Sequence, residues 1–326
     1  MTTKKSRIES LIDINEGLAR LRNANTYQKI YSFYSSVLQG ITTEPALMTV
    51  PIDDHMVHRG HAVFDTCSVK NGFAYGLSFH LDRFLDSARK CRIKPYADKE
   101  SLRSIILETL AVSNKRDDIY CRFWMSVGRG DFAVAPDNCS GTNFYCAVHE
   151  YHSSSAPNGI SEITVSIPLK TQMLATTKTN NYLINALSAM EAKEKGGSLG
   201  LQCDEAGNIA ECSIGSVGFV FKDGTLKTPK LDKILKSTTL FRAFELWRDS
   251  DIPIKDFIFD DIPLKAVSDA VEMIGFGGGK VTAIVKLDDN VIGDGKPGPV
   301  FEKINELLIK DASKGSEFVD EIPYDV

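Results

Sequence analysis

Thr177-Lys178-Thr179-Asn180-Asn181-Tyr182-Leu183 is the stretch on which the reading of this chain turns. A lysine opens a polar segment, and the run that follows reads as a helix over 181–195. Beyond a predicted strand at 199–203, the turn cluster Asp204-Glu205-Ala206-Gly207-Asn208 gives way to Ile209-Ala210-Glu211, which puts a carboxylate on an emerging strand. Taken singly, Lys178 and Glu211 read as solvated surface charges, the usual fate of both residue types.

Working outward, 326 residues leave room for two domains of ~100–200 residues each. The stretch from Tyr151 to Gly159 is small, polar and broken by Pro157 and Gly159, which marks it as a linker. The expected division is therefore an α+β N-terminal domain at 1–150, a linker at 151–159 and a β-rich α/β C-terminal domain at 160–326. A composition of 43% hydrophobic and 25% charged residues is that of an ordinary globular protein. A net charge of −5 without a clustered basic face argues against nucleic acid as a partner and for a small-molecule substrate. The seven cysteines form no C-x-x-C pair, so reduced thiols are expected rather than a disulfide framework or zinc ribbon. No apolar run approaches the roughly 20 residues needed to span a bilayer. Glu9, Asp13 and Glu16 do not suit an organelle leader, so the expectation is a cytoplasmic protein with no membrane partner.

In the first half the pattern predicts a polar helix over Tyr27–Val37 and apolar strands at Leu47–Ile52 and Ala62–Val69. Lys70-Asn71-Gly72 then reads as a hairpin turn, with Phe73–Leu77 as the return strand. Phe79, Leu81, Phe84, Leu85 and Ala88 recur at helical spacing, which predicts a helix over His80–Cys91. A second helix at Lys99–Ser113 and strands at Ile119–Val127 and Asn143–Val148 follow. The second half reads as strands at Ile163–Pro168, Val217–Lys222, Thr225–Thr228, Val271–Ile274 and Val281–Leu287, with helices at Thr239–Trp247, Leu264–Ala270 and Val300–Asp311.

Taken with His58-Arg59-Gly60-His61-Ala62-Val63-Phe64-Asp65, the Lys178 and Glu211 segments resemble the fold-type IV pyridoxal-phosphate enzymes, the class IV aminotransferases. The plant-type D-amino acid aminotransferase-like branch is the most similar, and the match runs from about Ile41 to Gly298. The resemblance implies a two-domain α/β fold with pyridoxal 5'-phosphate in the cleft between domains, and a homodimer whose partner lends part of the substrate pocket. It makes Lys178, with Asn181 and Tyr182 matching the K-x-x-N-Y segment, the lysine that holds the cofactor's aldehyde and moves the substrate's Cα proton. Glu211 is implied to keep the pyridine nitrogen protonated, with Ser216 and Val217 in the neighbourhood where the family has a supporting asparagine. Arg83 matches the phosphate arginine, Thr238 and Thr239 the helix N-terminus that caps the phosphate, and Gly277 and Gly278 the loop making its second contact.

For substrate, Phe64 stands where the bacterial D-amino acid enzymes have a tyrosine, and Arg129, with His58, is the nearest candidate for the carboxylate. The implied reaction is a ping-pong transfer of an amino group between an amino acid, D-alanine by preference, and a 2-oxo acid. Rival readings are an aminodeoxychorismate lyase, a branched-chain L-amino acid aminotransferase and a non-catalytic cofactor-binding protein of the same fold. Two letter patterns are set aside. Gly293-Asp294-Gly295-Lys296-Pro297-Gly298 matches G-x-G-x-x-G, but too little chain remains before Val326 for a dinucleotide-binding half. His55, His58 and His61 read as packing on the substrate side rather than as metal ligands.

Overall fold

In the computed structural model, which describes residues 12–24, 27–151, 156–248 and 250–324, Asp13 caps a first short helix α1 (Ile14–Arg22) by accepting from the Asn15 and Glu16 amides. Next come β1 (Ile30–Ser35), β2 (Gly40–Thr42), α2 (His55–Arg59), β3 (Ala62–Lys70), β4 (Phe73–Tyr75), α3 (Leu77–Lys90), α4 (Lys99–Ser113), β5 (Ile119–Ser126) and β6 (Asn143–Glu150). Asn71 and Gly72 turn β3 into β4 with φ of 52° and 82°, the positive pair that a two-residue hairpin needs.

Alternation within β3 and β5 gives the first sheet two different faces. Val63, Cys67 and Val69 of β3, and Ile119, Cys121, Phe123 and Met125 of β5, pack beneath Leu81 and Phe84 of α3 and Ile106 and Leu110 of α4. Each such side chain, wholly removed from water, contributes about 1.5–3 kcal/mol. The intervening residues Phe64, Thr66, Tyr120 and Arg122 are thereby turned to the opposite face, where they line a cavity.

The second half supplies β7 (Ile160–Glu162), α5 (Gln172–Ala175), α6 (Leu183–Glu194), β8 (Leu201–Cys203), β9 (Ile209–Cys212), β10 (Ser216–Phe221), β11 (Thr225–Thr228), α7 (Thr238–Arg248), β12 (Asp256–Phe259), β13 (Ala270–Gly277), β14 (Lys280–Leu287), β15 (Asn290–Val291) and α8 (Pro299–Asp311). Its main sheet runs β12-β11-β10-β13-β14-β15, with β7 joined to β14, and β8 and β9 form a separate pair. One face packs on Leu240 of α7 and Ile304 of α8, the other on Leu201, Ile209 and Ile262. The α8 N-terminus is capped from a distance, the Glu272 carboxylate accepting the Val300 and Phe301 amides at 2.9 and 2.8 Å. The last strand, β16 (Val319–Glu321), does not stay with the second half, where the sequence reading put it. It pairs antiparallel with β4, so the first sheet runs β16-β4-β3-β5-β6-β1-β2.

Four sequence expectations are corrected. The predicted helix over 27–37 is the strand β1, paired on both sides by β6 and β2. Its Ile30, Tyr31, Phe33 and Tyr34 are β-branched or aromatic, and sheet pairing overrides the local spacing. The strand expected at 47–52 is absent. Glu44 caps a single turn at Pro45–Leu47, and Pro45 and Pro51 have no amide to give to a ladder. The strand expected at 163–168 lies earlier, as β7, because Thr164 gives its amide to Asp288 and Ser166 gives its amide to Glu191. The helix expected at Leu264–Ala270 is a 3₁₀ turn over Leu264–Asp269. The centre of the expected linker, residues 152–155, lies outside the described residues. Among the described residues no helix is long and apolar enough to cross a membrane.

Candidate active site

A cavity of about 490 Å³ lies between the two sheets. The Lys178 segment crosses it pinned at several points. Phe64 donates its amide to the Lys178 carbonyl at 3.0 Å, Asn180 donates to the Ala62 carbonyl at 3.0 Å, and the Lys178 amide reaches Ser87 Oγ at 3.2 Å. The lysine backbone is thus held against β3 and α3 while its side chain enters the cavity. Its Nζ donates to Tyr182 Oη at 3.2 Å and lies 4.6 Å from the centre of the Phe64 ring. Burial, aided by the Arg83 cation and opposed by Asp65 and Glu211, lowers the amine to about 8. A substantial neutral fraction therefore exists near neutral pH, which an exposed lysine lacks.

Glu211 of β9 lies in the same cavity and is 5% exposed. Its Oε1 accepts the Leu235 amide at 3.1 Å, and its Oε2 faces Lys170 Nζ at 3.3 Å. Burial pushes this carboxyl up, while Lys170, the Leu235 amide and Lys178 pull it back.

Arg83 of α3 lines the cavity, with much of its guanidinium already engaged. Nε and Nη2 fork onto Asp65 at 2.8 and 2.7 Å, and Nη1 donates to the Lys236 carbonyl at 2.9 Å. Nη2 also lies 3.3 Å from His80 Nδ1, which leaves the second Nη1 N–H outside these contacts. Burial opposes the charge on Asp65, but Arg83 and His80 beside it outweigh that and hold the carboxyl well below the usual range.

Near the same wall, α7 opens at Thr238 and Thr239, both buried and both lining the cavity. Gly278 and Gly279 turn β13 into β14 with φ of 61° and 72°. A Cβ at Gly278 would lie 2.7 Å from Tyr120 Oη at a φ of 61° that L side chains rarely adopt, which favours glycine between this turn and the first sheet. The Gly279 amide donates to Thr239 Oγ1 at 2.9 Å, which ties the turn to the start of the helix. Gly277 and Ser216 line the same space, and the buried Ser216 hydroxyl has no partner among the described residues. Val217 itself is fully buried in the ladder opposite Gly275.

Two expected substrate residues are not brought to this cavity by their own chain. Arg129 forks onto Asp53 at 2.9 and 3.0 Å on the exposed side of a loop, and His58 packs between His55 and Phe132. Asn181 also faces away, donating to the Gly60 carbonyl at 3.3 Å beside a second, smaller cavity. Phe64, the third substrate candidate, does line the cavity, edge-on to Tyr182. Among the described residues, no group of three or more histidine, cysteine or acidic side chains is arranged to hold a metal.

Sequence reasoning passed over Arg122. Its Nε donates to Thr66 Oγ1 at 3.0 Å, and no carboxylate pairs with it among the described residues. A half-buried guanidinium on a cavity wall, over the Phe64 ring and without a paired carboxylate, suits an anionic ligand. The signal was present in Tyr120-Cys121-Arg122-Phe123, where alternation with core residues turns the arginine to the open face. Lys170 was also missed, since a single lysine in a loop carries no periodic or motif signal.

The chain fits a phosphorylated pyridine aldehyde: a desolvated amine, a buried carboxylate, and an anion cradle of helix N-terminus, glycine turn and unpartnered serine hydroxyl share one cavity. The Amino-transferase class IV family model matches residues 62–287. The chain is 39% identical over 300 residues to an Arabidopsis thaliana protein named D-amino-acid transaminase, chloroplastic, covering 91% of this chain and 80% of that one. It is 29% identical over 261 residues to a putative branched-chain-amino-acid aminotransferase of Methanocaldococcus jannaschii, covering 79% of this chain and 89% of the relative. Its fold superposes on the branched-chain amino acid aminotransferase of Escherichia coli with a TM-score of 0.82 at 19% identity, covering 90% of this chain and all (100%) of that one. A second branched-chain amino acid aminotransferase, solved with pyridoxamine 5'-phosphate, gives a TM-score of 0.82 at 21% identity, covering 90% of this chain and 99% of that one. The chain therefore belongs to the class IV aminotransferases, pyridoxal-phosphate-dependent enzymes of the two-domain type IV fold.

Proposed function

We propose that this aminotransferase moves an amino group from a D-amino acid such as D-alanine to a 2-oxo acid, with Lys178 as the residue that carries the proton. The observation that carries the catalytic assignment is the buried Lys178 amine, lowered to about 8 and held on Tyr182 Oη in the cavity that Glu211 shares. The donor class rests on the 39% identity with the plant D-amino-acid transaminase.

When bound, pyridoxal phosphate supplies an aldehyde for the amine and a protonated ring that draws in negative charge developing at the substrate's Cα. The chain's own residues do the rest. Glu211 holds the proton on the ring nitrogen. Arg83's remaining Nη1 N–H, the opening amides of α7 at Thr238 and Thr239, the turn at Gly277 and Gly278, and Ser216 at the start of β10 form the phosphate cradle, while Val217 stays in the ladder behind it. Lys178 Nζ in its neutral form takes the proton from the substrate's Cα and returns it, and Tyr182 Oη keeps the amine in place. Phe64 covers the amine with an apolar ring, and Arg122 receives the substrate's carboxylate.

A branched-chain reading is favoured by the archaeal relative at 29% identity, and donor choice separates the two. Mixed separately with D-alanine, L-leucine and L-glutamate, the holoenzyme is expected to lose its near-visible absorption with D-alanine alone. Loss with L-leucine instead establishes the branched-chain reading. Release of pyruvate from aminodeoxychorismate, with no oxo-acid acceptor present, establishes the lyase reading.

We also infer a homodimer. Val134 (80% exposed), Leu183 (70%), Ile214 (66%), Phe132 (60%) and Met173 (60%) present large apolar side chains to water around the two cavities. Apolar groups exposed together near a site suit burial against a second copy. Sedimentation is expected to give twice the chain mass, and a monomer at micromolar concentration overturns the inference. The cytoplasmic location stays a proposal, beside a plant relative named as chloroplastic.

A further inference from the structure

Lys170 is the least expected charge near the cavity, set behind Glu211, which lines it. Its side chain is only 5% exposed, and its Nζ stands 3.3 Å from Glu211 Oε2, a carboxylate that is itself 7% exposed. The loop that delivers it is anchored from β8. Gln202 is fully buried, and its Nε2 donates to the Ile167 and Pro168 carbonyls at 3.1 and 2.9 Å, three and two residues before the lysine. The same ammonium lies 5.3 Å from the centre of the Tyr182 ring, whose hydroxyl receives Lys178 Nζ. A buried lysine loses several kcal/mol of hydration, so a position that retains one needs a partner that uses the charge.

We propose that Lys170 is a positioning residue for the cofactor: its fixed positive charge keeps Glu211 ionised, so that the proton shared with the pyridine nitrogen stays on the ring. The inference rests on the reading of Glu211 as the ring-nitrogen partner. The physical argument compares two destinations for one proton. A buried carboxylate without a cation becomes a better base and competes with the pyridine nitrogen for the proton. A cation in contact with the carboxylate lowers its proton affinity more than that of the more distant ring, and the separated charges win. The groups facing Glu211 support this division of labour. Leu235 gives one amide to Oε1, and Lys170 occupies the side of Oε2. Lys178 acts more weakly, the Tyr182 phenol is raised to about 12, and burial raises the neighbouring Cys212 thiol well above its usual value. Lys170 is therefore the principal cation acting on this carboxylate, and it remains when Lys178 is consumed by its bond to the aldehyde.

The test measures binding rather than turnover. Apoprotein is titrated with pyridoxal phosphate from pH 5.5 to 8.5 by tryptophan fluorescence, for the parent, K170M, K170Q, K170R and E211Q. A one-unit rise in the Glu211 pKa changes the ionised fraction tenfold on the acid side. K170M and K170Q are therefore expected to bind roughly tenfold more weakly at the acid end, with the loss shrinking as pH rises. K170R is expected to restore the parent profile. E211Q is expected to bind weakly at every pH, and K170Q added to E211Q to cost no more. Parental affinity and pH profile in K170Q, with E211Q impaired, overturn the role of Lys170 alone. Parental binding in E211Q removes the reading of Glu211 and the inference with it. K170Q keeps length and polarity, so it decides the matter even if K170M fails to fold.

Discussion

Lys178→Ala is expected to lower turnover by at least about 10⁴-fold, since one change removes both the nucleophile for the aldehyde and the base for the Cα proton. The holoenzyme's near-visible absorption is expected to vanish with it. Turnover within tenfold of the parent removes Lys178 from the mechanism. The same variant carries a stability signature. Burial depresses the amine from its ordinary value of 10.5 to about 8, so the unfolded chain binds the proton more tightly than the folded one. Between pH 8 and 10.5 the unfolded state therefore carries more protons, and the apoprotein gains stability as pH rises through that window. Below pH 8 the full cost of a charged, desolvated amine is present. Urea unfolding of both apoproteins at pH 7.5 and pH 10 checks this. The parent should gain more stability than the alanine variant, and equal gains show that the amine is not desolvated.

Arg122→Ala carries the second large effect. A hydrogen bond to a charged group is worth about 1.5–3 kcal/mol, so losing the carboxylate contact should lower kcat/KM for the amino acid on the order of 10²-fold. Arg122→Lys should recover only part, because an ammonium cannot reproduce the planar fork or, from a different length, the contact with Thr66. A primary alkylamine donor, which has no carboxylate, gives the control: its half-reaction should be nearly the same in parent and variant. Equal losses for both donors indicate a damaged wall rather than a lost anchor.

The elements legible in the sequence are those whose causes are local. The Asn71-Gly72 turn carries its own positive φ, and the helix Lys99–Ser113 carries its own periodicity and its Asp98 cap. The Lys178 and Glu211 segments were legible as motifs, and they do share one cavity. What escaped depends on distant partners. β1 is a strand because β6 and β2 flank it, and neither neighbour can be read from residues 27–37. Arg129, the nearest candidate for the carboxylate in the sequence, has its fork taken by Asp53, whereas Arg122, proposed for that role, is hidden in a strand where no motif points to it. The burial of Lys170 depends on Gln202, a residue on another strand that no motif connects to it.

The pairing of β16 with β4 has an effect on how the molecule is made. A ribosome releases β4 long before β16, so while the intervening chain is made the first sheet waits with one edge unpaired and able to template association with other chains. The segment around β16 closes that edge, with Arg103 gripping Asp320 at 2.6 Å and the Gly76 amide reaching the Phe318 carbonyl at 2.7 Å. Synthesis of β16 and protection of the β4 edge are therefore the same event.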